Sequence, residues 1–367
     1  LAEQTGDHEW RIEGEEAGAV LYAPDDAALS YTRLLSGLGA ATRLPGVEDP
    51  VHAAASPHGW GWAAASASHV APELVSTPRF GLLLAASSPP DRLGVAPEEV
   101  PRLLERRLSE VRLPRLGGSD LRAACESGTG WAADTGIIGE EDLEILAGDD
   151  ARGEPDTLGR RALAAGEREW DPRRDGPVEA LEAGEAWDVE AAEGIGLHEG
   201  ALVFILTAGG GELGRLALES HRERIASREF GDSGRLAAAP AGTEEAGDLV
   251  AAVGAASGYA AARLSLLAYA VRQAVGELAG SLDIVACSAA GGFQERGGTT
   301  VHRNALARLD AGRSLVCGDV LARGTGEMLG SAPLFEPAEA ADEGRWTWEE
   351  AGLLERVARL RSPGNRG

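Results

Sequence analysis

Apolar residues recur along the chain in two distinct rhythms. The runs FGLLLAAS (80–87), ALVFILTAGGG (201–211) and LDIVAC (282–287) are short and almost unbroken, the pattern of strands buried on both faces. Between them lie segments whose apolar positions repeat every three or four residues. VPRLLERRLSEVRL (100–113) predicts an amphipathic helix with an Arg/Glu face in water, and ELGRLALESHRERI predicts a helix directly after the 209–211 glycine triplet. The longest such segment, 243–280, predicts one helix. Its acidic first turn suits the helix dipole, and its Gly/Ala/Ser face lets another element approach closely. Residues 9–40 predict short strands and then a helix in DDAALSYTRLLSGLG. After Cys287 the pattern predicts a loop of small residues, Ser288 to Gly292. A glycine turn follows, then a strand near 299–303 ending in His302-Arg303, another near 314–317, and a last helix in EEAGLLERVARL. Residues 145–195 are acidic, rich in Gly and Arg and weakly periodic, which predicts a loop-rich, partly mobile section. Strands alternating with helices predict an α/β (mixed α+β) fold, with central sheets flanked by helices in a single domain over 1–367.

Composition narrows the chemistry. A 44% hydrophobic content and a mean hydropathy of −0.15 are those of a soluble globular chain, and no unbroken apolar run predicts a membrane span. The three cysteines, Cys125, Cys287 and Cys317, are far apart and form no CxxC pair. With no secretory pattern in LAEQTGDHEW, a reducing cytoplasmic setting is expected. The formal charge of −25 disfavours general binding to a phosphate backbone. All 34 basic residues are arginine, and the absence of lysine removes Schiff-base, P-loop and lysyl-nucleotide chemistry.

Individual candidate motifs are weak. The seven histidines (8, 52, 58, 69, 198, 221 and 302) include no i,i+4 or H-x-H pair, so no ligand cluster is visible. The glycines 209–211 could cradle an anion on backbone N–H groups at the start of the next helix, and RGTGEMLG (323–330) is a similar loop. His302-Arg303 at a strand end is a candidate phosphate contact. Trp60 and Trp62 could stack on bases, although core packing is the ordinary role of such a pair.

Taken together and in order, these pieces resemble a known family. LPGV (44–47) with His58 and GWGW, the stretch 194–215, the long alanine-rich helix, LDIVACSAAGG, VHRNALAR, LVCGDV…GTGEMLG and the ending LLERVARLRSPGNRG are similar to motifs of the RtcB RNA ligases. The family joins RNA 3′-phosphate or cyclic-phosphate ends to 5′-hydroxyls, in tRNA splicing and RNA repair, using Mn²⁺ and a histidine guanylylated by GTP. The resemblance implies an RtcB-like fold over nearly the whole chain. It also implies that the functional positions have been emptied. Thr207 and Ala290 stand where the family has metal-binding histidines, and Gly211 and Arg215 replace that first motif's Arg and last His. The segment carrying the family's Asp and Cys ligands is absent between Pro78 and Phe80-Gly81, and a further histidine ligand is missing near residue 176. The stretch after residue 330, where the guanylylated histidine belongs, has no histidine, and the terminal nucleotide-contacting lysine is Arg366. His302, Arg303 and Asn304 are the expected remnant of phosphate and nucleotide binding. The expectation is an RtcB-like protein inactive as a ligase, a binding or interaction module without bound metal. The alternative is a Mn²⁺- and GTP-dependent RNA ligase or end-processing enzyme with recruited ligands, drawn from His58, His198, His302, Cys287 and Cys317.

Overall fold

The computed structural model describes residues 2–23, 26–56, 59–87, 94–114, 117–146, 153–174, 176, 178–228, 236–307, 314–317, 320–324 and 354–361. They form a mixed α/β structure around one large mixed sheet. Its strands in chain order are β1 (Ala2–Gly6), β2 (Glu9–Ile12), β3 (Ala19–Tyr22), β4 (Val51–Ser56), β5 (Gly59–Ser66), β7 (Arg79–Ala86), β8 (Val178–Ala186), β9 (Leu202–Gly209), β11 (Leu282–Arg296), β12 (Thr299–Ala307), β13 (Ser314–Cys317), β14 (Val320–Gly324) and β15 (Leu354–Arg361). β6 (His69–Val70) and β10 (Ala239–Pro240) pair separately. The large sheet has 13 strands in the order β1-β2-β3-β4-β5-β12-β11-β7-β9-β8-β15-β14-β13. All its pairings are antiparallel except β3 with β4.

The central strands are apolar throughout because both faces are covered. On β7, Phe80, Leu82, Leu84 and Ala86 join the main core, while Leu83 and Ala85 join a second cluster on the other face. A fully buried leucine of this kind contributes about 2 kcal/mol of apolar transfer free energy. The main core is closed by the helix α9 (Glu244–Ala279), 36 residues long and therefore about 54 Å from end to end. Thr243 caps its start by accepting from the Ala246 N–H at 3.3 Å, and Glu244 and Glu245 occupy the first turn. Length and composition alone would let this helix cross a bilayer, but 83% of its most apolar window is buried within the fold. Its small residues do permit close packing. A Cβ on Gly258 would lie 2.4 Å from the carbonyl oxygen of Cys125, in helix α3 (Gly118–Ser127).

Around α9 pack α2 (Val100–Glu110), α3, α4 (Thr129–Asp134) and α8 (Gly211–Ala226). Arg272 of α9 donates at 2.8 Å to the buried Asp142 of α5 (Glu140–Leu146), and at 2.8–2.9 Å to the Leu282 carbonyl. A second core lies beneath α1 (Thr32–Ala41), where Leu34 and Leu38 meet Leu21, Ala53 and Trp62. Trp60 and Trp62 stack with centroids 5.5 Å apart, and Trp62 is core-packed against Gly37, where a Cβ would sit 2.2 Å from its ring.

Three sequence expectations need correction. Ser288 to Gly292 are not a loop but the middle of the 15-residue strand β11, with Gly291 and Gly292 both at φ +73 where the register with β12 shifts. Within 349–360, residues from Leu354 onward form a strand, β15, joining β8 to β14. The 145–195 section contains α6 (Arg160–Arg168), β8 and α7 (Val189–Gly194) as well as connections. In β8, Ala180 faces the main core while Leu181 and Ala183 face the second cluster, so no polar alternation marks the strand.

Candidate functional site

The end of β7, β9 and β11 nearest Arg79 gathers the positions picked out by sequence. The strand register places Gly209, Arg79 and Ala290 in one row across the three strands, and Thr207, Gly81 and Ser288 in the next row of the same face. Gly176 lies beside the Thr207 backbone, since a Cβ on it would lie 2.7 Å from the Thr207 carbonyl oxygen, but that Cβ would also lie 3.2 Å from Leu267 of α9, on the opposite face of the sheet. Gly81, Thr207 and Ala290, where the resemblance implies metal ligands, are therefore neighbours on one face. They supply a hydrogen, a hydroxyl and a methyl group. Ser288 adds a second hydroxyl, 5% exposed, whose Oγ makes no hydrogen bond. A Mn²⁺ ion takes a full shell of N, O or S donors, and these side chains do not fit it.

Backbone ties hold this end together. The Ser76 N–H donates to the Arg303 carbonyl at 3.1 Å, its carbonyl accepts from Gly292 at 3.0 Å, and its Oγ accepts from the Ala305 N–H at 2.9 Å. The Pro78 carbonyl accepts from Gly210 at 2.8 Å. Gly291 has to be glycine here, because a Cβ would come within 2.6 Å of Ser76 Oγ and 2.8 Å of the Thr77 carbonyl oxygen.

The His302-Arg303-Asn304 triplet lies within β12 rather than at its end, so alternation sends Arg303 to the face opposite His302 and Asn304. His302 has no exposed surface. Its Nε2 accepts from the Ala71 N–H at 3.0 Å and its Nδ1–H donates to the Ala64 carbonyl at 3.1 Å, which fixes the neutral tautomer. Phe293 packs edge-on against the ring at 5.1 Å. Burial pushes its pKa down to about 4, against a smaller upward pull from its bonds to the Ala64 and Thr300 backbone. His302 thus pins β12 to the segment before β7 and presents neither nitrogen to a ligand. Arg303 is buried, 5% exposed, and Asn304 is half-buried.

The helix start directly after the glycine triplet holds a carboxylate from its own chain. Glu169 Oε2 accepts from the Glu212 N–H at 2.8 Å, occupying the N-terminus of α8. Gly211, at φ +52, is closed by this carboxylate, since a Cβ would lie 2.6 Å from Glu169 Oε2 and 3.6 Å from Arg263 Nη1. Arg263, 1% exposed on α9, donates to the Gly209 carbonyl at 2.8 Å and lies 5.4 Å from the Tyr259 ring centroid. Sequence reasoning missed both Glu169 and Arg263. An arginine in the apolar middle of the 243–280 helix was the available signal.

Among the described residues, the recruitable ligands His198, His302 and Cys287 do not assemble. His58 and the 323–330 loop, apart from Arg323 and Gly324, lie outside the described residues, as do residues 331–348 and Arg366; for Cys317 only the backbone is described. Cys287 packs against the main core under α9. His198 is exposed in the loop before β9, at the opposite end of the sheet from Thr207. Among the described residues no group of three or more His, Cys, Asp or Glu side chains could hold a metal ion. Compared with known proteins, the chain matches no family model and no curated protein.

Proposed function

We propose that the chain is an RtcB-like protein that does not ligate RNA and acts as a binding or interaction module on an RNA-ligase scaffold. One observation carries this reading. Three positions where the resemblance calls for metal ligands, near Gly81, at Thr207 and at Ala290, share one face, and they offer only a glycine hydrogen, the Thr207 hydroxyl and the Ala290 methyl. The His302 ring, committed to the Ala64 and Ala71 backbone, adds nothing to a phosphate site. The net charge of −25 weakens any contact with RNA.

Thermal unfolding with Mn²⁺, GTP or both tests the proposal. A ligand held by the native state stabilises it, by about 2.7 kcal/mol at a hundredfold excess over its dissociation constant, and so raises the midpoint. No shift is expected from either. A large shift, or a radiolabel from GTP that stays on the chain through denaturing electrophoresis, overturns the reading in favour of a relocated nucleophile and metal site.

A further inference from the structure

We draw no further inference here: the strongest candidate, the cluster of Arg79, Thr207 and the buried, unbonded Ser288 hydroxyl on one face of β7, β9 and β11, belongs to the site already described.

Discussion

Substituting His302 by glutamine isolates a stability contribution that depends on pH. In the fold the imidazole is fully buried and neutral, with a pKa of about 4, against 6.5 for the group when free. Between those values the unfolded chain binds a proton that the native chain refuses, so stability falls as the solution is acidified from 6.5 toward 4. At pH 7.5 the linkage is negligible. At pH 5 it destabilises the native state by about 2 kcal/mol, and near pH 4 by about 3 kcal/mol, beyond which both states are protonated. The carboxylates also titrate at these pH values, so the informative quantity is the difference between the two chains. Urea unfolding at pH 7.5 and pH 5.0 should show the unaltered chain more stable than His302→Gln at neutral pH, because the substitution disturbs two buried backbone bonds. That advantage should shrink by about 2 kcal/mol at pH 5. Imidazole nitrogen shifts should report the neutral Nδ1–H form throughout. A stability gap that stays constant with pH, or a ring that titrates near 6.5, would refute the reasoning.

Other outcomes follow from single contacts. Asp142→Ala leaves Arg272 without its carboxylate partner and should cost about 3 kcal/mol in chemical unfolding, whereas removing both ends, as Asp142→Leu/Arg272→Met, should cost less. Gly258→Ala drives a methyl group into the Cys125 carbonyl and should cost about 1–3 kcal/mol by forcing α3 and α9 apart, lowering the thermal midpoint. Glu169→Gln removes the charge from the α8 N-terminus, and a loss of about 1 kcal/mol in urea is expected, with Glu169→Asp recovering part of it only if the shorter side chain still reaches Glu212.

Much of the architecture could be read from the residues where one rule dominates. The Gly297-Gly298 pair, at φ +58 and +89, turns β11 into β12 as a tight hairpin turn should. The 243–280 segment is one helix because its small residues and acidic start all favour that outcome. The failures occur where two rules compete. Ser288 to Gly292 carry the composition of a loop, but the strand needs small residues there to pass Ser76 and Thr77, and its two glycines absorb a register shift. Leu354, Val357 and Leu360 repeat at helical spacing, yet the register with β8 slips between Ala358 and Leu360, which breaks the period-two signature of a strand. At the candidate site, the grouping of Thr207, Ala290 and the 78–81 segment was expected from the resemblance. The face on which Arg303 emerges and the carboxylate of Glu169 were not legible, because both depend on strand register and tertiary approach.

The strand order also sets a schedule for synthesis. β11 and β12 lie between β5 and β7, so the first 281 residues can complete only two partial sheets, one ending at β5 and the other at β7. Each would wait at the ribosome with an open hydrogen-bonding edge, and the β7 edge, FGLLLAA, is apolar along its length. The hairpin at residues 282–307 closes both edges in one event. Nascent chains arrested before it should engage holdase chaperones, and those arrested well beyond it should be released from them.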